Sequence, residues 1–316
     1  MKQWIQHSER PTRAGFGEGV LEAGILNNEV VALGGDITSS VGLDLFAKAF
    51  PDRFFSLGIA EQNAIGVAAG LALGGKIPVF STYGVFAAIR AADQIRVSLC
   101  YNRLHAIIGG AHAGISVGPD GATHQALEDI AIMTSFPNMC VLSPCDATQA
   151  RLAVLAALGY TAGPVYIRFG REAVADFTTP ELPFEIGKAQ VMNYGADITV
   201  IATGHMVWEA IQSAVTLRDQ GLSVRVINMH SLKPLDEDII IKAAKETRRI
   251  VTIEEHQMIG GLGSLVASLT ARNFPVPVFS MGINDHFGES GQAAELLSKY
   301  GLTADHITRK ILSICK

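Results

Sequence analysis

Short apolar runs alternate with longer helical patterns through the first half of this 316-residue chain. Each run is rich in Val, Ile or Phe and is stopped by Gly, Pro, Asp or Ser, a pattern typical of buried strands. The predicted strands are Val30–Leu33, Phe54–Leu57, Ile77–Phe80, Leu104–Ile108, Met139–Leu142 and Val165–Arg168. The predicted helices between them are Glu61–Leu73, Val85–Cys100, Leu127–Thr134 and Ala147–Leu158. Strands separated by helices need crossover connections, so this half predicts six parallel strands with helices on both faces.

Residues 173–190 interrupt that rhythm, because they contain two prolines and no clean period. A second α/β unit follows. Its predicted strands are Ile198–Ala202, Ser223–Asn228, Arg249–Ile253 and Val276–Ser280, and its predicted helices are Met206–Gln220, Asp236–Glu246 and Gly263–Arg272. The sequence therefore predicts two doubly wound α/β domains with mainly parallel sheets: residues 1–172, a linker over 173–190, and a smaller domain over 191–316.

Composition excludes several classes of protein. Hydrophobic residues make up 48% of the chain and charged residues 17%, which excludes intrinsic disorder. The formal net charge of −5 gives no electrostatic reason to expect a nucleic-acid partner. The longest apolar run, residues 64–73, is too short to cross a membrane and contains two glycines.

The N-terminal residues and the cysteines indicate a compartment. Residues 1–10 contain no apolar leader segment. The four cysteines (Cys100, Cys140, Cys145 and Cys315) form no CxxC pair and no disulfide-like spacing, so we expect neither a disulfide nor a zinc site. Scattered thiols of this kind are typical of the cytoplasm.

The densest cluster of reactive side chains is residues 110–125, which follow an apolar strand. His112, Asp120 and His124 lie there among glycines. In an open α/β sheet, ligands bind beyond the carboxyl ends of the strands, where this segment falls. It could serve as a metal site, a general acid or base, or an anion-binding loop; a spacing of twelve between the histidines matches no common metal motif. The simpler alternative is a solvated glycine-rich loop.

Glu61 opens an apolar helix within the string Gly-Ile-Ala-Glu-Gln-Asn. A carboxylate in the first turn of a helix interacts favourably with the helix dipole, which is an ordinary structural role. A buried carboxylate at the same place could instead share a proton with a ligand nitrogen. The residues alone leave these two roles open.

Three strings occur in the order found in transketolases: Gly-Ile-Ala-Glu-Gln-Asn at 58–63, Ser-Thr-Tyr-Gly-Val-Phe at 81–86, and Gly-Pro-Asp-Gly-Ala-Thr-His-Gln at 118–125. The likeness continues through Phe-Pro-Asn-Met at 136–139, Tyr-Ile-Arg at 166–168 and Glu-Glu-His-Gln at 254–257. The chain therefore resembles the C-terminal half of a full-length transketolase, as does the small subunit of a split transketolase.

The resemblance implies thiamine diphosphate as cofactor. Enzymes that use it hold the diphosphate and Mg²⁺ with a Gly-Asp-Gly motif, and this sequence contains no such string. The resemblance thus implies a larger partner subunit that carries the Mg²⁺ ligands. It also implies self-association and an α2β2 assembly.

The resemblance assigns roles near the cofactor to four residues. Glu61 resembles the glutamate that hydrogen-bonds the aminopyrimidine ring of thiamine. Phe86 and Tyr83 resemble the aromatic pair that packs on that ring. His124 resembles the histidine that contacts the substrate oxygen beside the reacting carbonyl. Glu61 and His124 are therefore the expected catalytic residues.

Other residues resemble the sugar-binding group of the family. Asp120 resembles the aspartate that recognises a sugar hydroxyl. The residues that resemble the phosphate-binding group are Arg13, Ser40, His112 and Arg168. Arg171 falls outside this alignment. Two guanidinium groups suit planar, bidentate recognition of a phosphate, so sugar phosphates are the expected substrates.

The expected reaction transfers a two-carbon ketol unit from a ketose phosphate to an aldose phosphate. Two related enzymes are alternatives. The β-subunits of 2-oxoacid dehydrogenases lack the Asp-Gly-x-Thr-His-Gln string, whereas deoxyxylulose phosphate synthases usually have arginine where His112 stands. A non-catalytic scaffold is a third alternative, but such a relative would be expected to lose Glu61 or His124.

Two motifs of the second half are glycine-rich. Thr-Gly-His at 203–205 and Gly-Gly-Leu-Gly-Ser at 260–264 do not give the spacing of a dinucleotide-binding loop, so helix starts explain them better. The sequence assigns no role to Glu254, Glu255 and His256.

Overall fold

The computed structural model describes residues 4–315. Residues 1–3, part of the N-terminal stretch considered above for a leader, and Lys316 lie outside the described residues. The first half forms β1 (Ser8–Pro11), α1 (Thr12–Leu26), β2 (Val30–Gly34), α2 (Asp44–Ala49), β3 (Phe54–Ser56), α3 (Glu61–Leu73), β4 (Ile77–Tyr83), α4 (Ala92–Gln94), β5 (Ile107–Ala111), α5 (Asp129–Ser135), β6 (Cys140–Leu142), α6 (Ala147–Leu158), β7 (Val165–Arg168) and β8 (Ala173–Asp176). The second half forms β9 (Gln190–Asn193), β10 (Ile198–Ala202), α7 (Met206–Arg218), β11 (Val224–Asn228), β12 (Ser231–Lys233), α8 (Glu237–Thr247), β13 (Ile250–Gln257), α9 (Leu262–Asn273), β14 (Val278–Ile283), α10 (Ala293–Lys299) and α11 (Ala304–Cys315).

The larger sheet has the strand order β12-β6-β7-β5-β4-β2-β3. Its six strands from the first half are parallel, which confirms the predicted sheet. The seventh strand, β12, comes from the second half and pairs antiparallel with β6 at the edge. A strand of three residues followed by Pro234 carries no periodic signal, so the sequence did not predict it.

The second sheet has the order β14-β13-β10-β11-β9. Its pairs are parallel except for β9, which runs antiparallel to β11. The predicted linker also contains regular structure: β8 lies at its start and pairs antiparallel with β1, and β9 begins at its last residue. Both halves therefore have the predicted α/β class, and the division at 173–190 stays a prediction.

Strands β4 and β5 extend beyond their predicted carboxyl ends, and the added residues lie at the candidate site described below. β4 continues to Tyr83 and β5 to Ala111, so that these two residues lie side by side at the carboxyl edge. β5 passes through Gly110, where a Cβ atom would overlap the Tyr166 ring. Glycine breaks the apolar pattern of the strand, and the prediction therefore stopped too early.

The predicted helix over 85–100 is interrupted. π-helical turns at Phe86–Arg90 and Ile95–Tyr101 flank the short α4. π-turns are rare and often lie at functional sites. In the part of the chain that the structure describes, no helix combines the length and the apolar character needed to cross a membrane.

Candidate active site

A cavity of about 310 Å³ opens beyond the carboxyl ends of β2, β3 and β4. Its walls come from the last residues of β4 and from segments that follow β2, β3, β4 and β5, as expected for an open α/β sheet. The lining residues are Gly35, Asp36, Ile37, Gly58, Ile59, Glu61, Phe80, Thr82, Tyr83, Phe86 and His124. Four residues predicted to bind cofactor or substrate, Glu61, Tyr83, Phe86 and His124, thus lie around one cavity.

Glu61 is the first residue of α3, and its side chain is only 7% exposed. One guanidinium nitrogen of Arg90, Nη1, lies 3.0 Å from each carboxylate oxygen of Glu61. The guanidinium also lies over the Phe86 ring, 4.1 Å from its centre. Sequence reasoning missed Arg90, although it stands four residues after Phe86 and therefore on a neighbouring helical turn.

Aromatic rings form the walls beside this carboxylate. The Tyr83 and Phe86 rings lie 5.8 Å apart, and the His124 ring stands edge-on to both, at 5.6 and 5.5 Å. A flat heteroaromatic ring fits between apolar and aromatic walls, and a buried carboxylate suits a ring nitrogen that shares a proton. These residues therefore fit the aminopyrimidine of thiamine.

His112 follows β5 directly and adopts a left-handed backbone conformation, with φ of 56°. Its Nε2 lies 3.4 Å from the Ser40 hydroxyl, which in turn lies 3.1 Å from the Tyr83 hydroxyl. The buried Nδ1 has no hydrogen-bond partner among the described residues. Burial, together with the positive charges of Arg13 and Arg171, lowers the pKa of His112 to about 4. The imidazole is therefore neutral at pH 7, with one buried nitrogen that lacks a hydrogen-bond partner among the described residues.

Two arginines face this histidine. Arg13 donates to the backbone oxygen of Ser40 at 3.4 Å. Arg171 lies 3.0 Å from the Asp120 carboxylate and is about a third exposed. The structure thus brings Arg13, Ser40 and His112 together with Arg171, the arginine that the resemblance left out.

Arg168 does not join this group in the structure, and its role in phosphate binding stays a prediction. Its side chain is 6% exposed, and its Nε lies 3.0 Å from the Asp129 carboxylate. Its Nη2 donates to the backbone oxygens of Ala126 and Glu255 at 3.2 and 2.7 Å. Buried protein acceptors engage the guanidinium, so a phosphate would have to break these bonds. Arg168 and Arg171 both lie near the end of β7, and the sequence alone does not tell which of the two side chains points into the protein.

Among residues 4–315, no three His, Cys, Asp or Glu side chains are arranged to hold a metal ion. The cavity is walled by aromatic side chains, which suit an organic ring. The lining also offers one buried carboxylate, from Glu61, and one imidazole, from His124.

Known proteins match the chain over nearly its whole length. Family models match at residues 8–176 (transketolase, pyrimidine binding domain) and 187–307 (transketolase, C-terminal domain). A protein of Methanocaldococcus jannaschii named as a transketolase C-terminal section is 43% identical over 307 residues, 96% of each chain. The apulose-4-phosphate transketolase of Phocaeicola vulgatus has a subunit that is 40% identical over 305 residues, 96% of this chain and 97% of that protein.

A solved structure agrees with these matches. A split-gene transketolase, described as an inactive β4 tetramer, superposes with a TM-score of 0.89 at 46% identity, covering 96% of this chain and 97% of that one. The chain therefore belongs to the transketolase family, of which it comprises the pyrimidine-binding and C-terminal domains.

Proposed function

We propose that this chain is the small subunit of a thiamine diphosphate-dependent transketolase. In this proposal it transfers a two-carbon ketol unit from a ketose phosphate to an aldose phosphate. The observation that carries the proposal is the buried carboxylate of Glu61 at an aromatic-walled cavity. Relatives named as transketolase subunits support it.

Bound thiamine diphosphate would supply a carbon centre that carries the two-carbon fragment between sugars. Glu61 would share a proton with the pyrimidine nitrogen. For this contact the carboxylate would have to turn away from Arg90 and towards the ring. Tyr83 and Phe86 orient the ring through contacts that contribute about 0.5–1.5 kcal/mol beyond area burial, so they position it more than they activate it.

The substrate residues divide into two groups. His124, at the cavity, donates a hydrogen bond or a proton to the substrate oxygen beside the reacting carbonyl. Asp120 accepts a hydrogen bond from a sugar hydroxyl. Arg13 and Arg171 neutralise the distal phosphate, and the neutral His112 imidazole donates one hydrogen bond to it.

A partner subunit completes the site in this proposal. The chain has no Gly-Asp-Gly motif, and residues 4–315 present no cluster of metal ligands. Mg²⁺ and the diphosphate would therefore be held by the larger subunit, with the cofactor at the interface of an α2β2 assembly. We also propose the cytoplasm as the compartment, since Cys100, Cys140 and Cys145 are buried free thiols.

Reconstitution tests the proposal. The chain is mixed with the larger subunit from the same organism, thiamine diphosphate and Mg²⁺, and transfer from ketose phosphates to aldose phosphates is followed. We expect transfer that falls by on the order of 100-fold in the Glu61→Gln variant, the scale of a lost acid–base group. A pair that decarboxylates pyruvate without ketol transfer would instead indicate a synthase- or dehydrogenase-type enzyme, and a pair with neither activity would indicate a scaffold.

A further inference from the structure

Residues 112–125, here called the histidine segment, carry His112, Asp120 and His124 and lie against the second domain. Gln125 donates from its side-chain amide to the backbone oxygen of Glu289 at 2.9 Å. Gly118 and Gly121 face Gly291 and Ser290, where a Cβ atom on either glycine would be crowded. The second domain therefore forms one wall of the segment that presents the substrate-facing side chains.

Glu255, near the end of β13, makes the central contact. Its carboxylate is buried, and Oε1 accepts a hydrogen bond from the backbone N–H of Ser116. The other oxygen, Oε2, lies 3.2 Å from His205 Nε2, although the ring is out of line for a hydrogen bond. A hydrogen bond from a backbone amide to a carboxylate is about twice as strong as a neutral one.

Gly114 gives independent evidence that the backbone of the segment lies on this carboxylate. Its φ of 86° is in the left-handed region, which favours glycine. A Cβ atom at this position would overlap the carboxyl group of Glu255. The Glu255 carboxylate therefore occupies space that is free only because residue 114 has no side chain.

The contact lies at the middle of the segment. Ser116 stands four residues from His112 and four from Asp120, and two short 3₁₀ turns that meet in a kink at Gly118 connect Ser116 to Asp120 within Ile115–Asp120. A shift of the Ser116 backbone would therefore move Asp120 relative to His112. Remote misplacement of this kind lowers substrate affinity, because recognition depends on the relative positions of the contacting groups.

We propose that Glu255 is a positioning residue through which the C-terminal domain sets the geometry of the substrate-binding segment. The carboxylate itself does not line the cavity. Its effect on kinetics rests on the proposed function, whereas its effect on the Ser116 amide does not.

Hydrogen exchange on the isolated full chain tests the contact. We expect Glu255→Ala to speed exchange of the Ser116 amide by about tenfold or more, the scale of one charge-assisted hydrogen bond. Glu254→Gln is the matched control, because Glu254 is the adjacent buried carboxylate and binds the amides of Leu262 and Gly263 at 2.6 and 2.8 Å within its own domain. That variant should speed exchange at 262–263 and leave Ser116 unchanged.

Unchanged exchange of the Ser116 amide in Glu255→Ala would overturn the proposal, as would equal acceleration by both variants, which would show general destabilisation. If Glu255→Ala fails to fold, Glu255→Gln decides. Gln keeps an oxygen acceptor but carries no charge, so we expect a smaller increase in the exchange rate, confined to the histidine segment. An unchanged exchange rate of the Ser116 amide would refute the role.

Kinetics in the reconstituted pair complete the test. Glu255→Ala should raise KM for phosphorylated substrates about fivefold or more, while Glu254→Gln should keep it within about twofold. A change in kcat alone, with KM untouched, would contradict positioning of the substrate-binding segment. An inactive wild-type pair would count against the proposed function, while the exchange result would still decide the role of Glu255.

Discussion

Arg90 holds both carboxylate oxygens of Glu61 with a single guanidinium nitrogen, 3.0 Å from each. The glutamate is buried, whereas the Arg90 side chain is 46% exposed. In this arrangement the carboxylate is occupied by an internal cation. In the proposed function, cofactor binding therefore requires that Arg90 be displaced or that Glu61 turn away from it.

Replacement of Arg90 should strengthen cofactor binding. In Arg90→Gln the carboxylate is no longer held by an ion pair. Because the arginine of this pair is 46% exposed, solvent screens the interaction and its contribution is at most about 1 kcal/mol. We expect the dissociation constant of thiamine diphosphate for the reconstituted pair to fall by up to about fivefold, measured by calorimetry. Arg96→Gln, a change at an exposed arginine on the next turns, is the control. Weaker binding in Arg90→Gln would mean that Arg90 contributes to the bound state instead.

Arg171 should act on phosphate binding. Loss of its charge-assisted hydrogen bonds in Arg171→Ala, about 1.5–3 kcal/mol, should raise KM for phosphorylated substrates at least tenfold. Turnover of hydroxypyruvate, an unphosphorylated donor, should hardly change. His124→Ala should lower turnover of both substrates, because its contact is at the reacting oxygen. Equal losses on both substrates in Arg171→Ala would refute a phosphate role.

Arg168 should matter for stability. Arg168→Ala leaves the Asp129 carboxylate buried and without its cation, which costs about 3–5 kcal/mol of unfolding free energy. Denaturant unfolding measures this loss, and the double change Arg168→Met with Asp129→Asn should recover part of it, since no charge remains buried. A stable Arg168→Ala variant with a raised KM for phosphorylated substrates alone would support the phosphate-binding role that the resemblance assigned.

The buried imidazole of His112 should make the chain sensitive to acid. Burial and two nearby arginines lower its pKa from 6.5 to about 4, so the folded chain binds fewer protons than the unfolded chain between these pH values. The contribution of this residue to the free energy of unfolding is complete above pH 6.5. About 3 kcal/mol of that free energy is lost as the pH falls from 6.5 towards 4. Unfolding of wild type and His112→Asn across this range should show a shallower slope for the variant. Parallel slopes would show that His112 is accessible to protons in the folded chain.

The isolated chain should bind thiamine diphosphate poorly and show no ketol transfer. Its own residues offer a pyrimidine site, while the motif for the diphosphate and Mg²⁺ is absent from the sequence. Calorimetry on the chain alone, with the reconstituted pair as the reference, checks this. Micromolar binding to the isolated chain would contradict a site shared between subunits.

The sequence by itself determined the features that local strings carry. Apolar runs of strand length, separated by helical patterns, specified the parallel sheet, because crossover connections leave few other solutions. The strings at 58–63, 81–86 and 118–125 lie at or beyond the carboxyl end of a strand. The sequence could therefore place their glutamate, aromatic and histidine side chains at one edge of the sheet.

Only the tertiary structure decided which side chains face that edge. Arg168 and Arg171 are three residues apart, and packing against Asp129 buries the first while the second stays at the surface. Glu255 binds the Ser116 amide across 139 residues of sequence, and β12 joins a sheet built by the other half. Such contacts depend on how two domains pack, and no local period or motif encodes that arrangement.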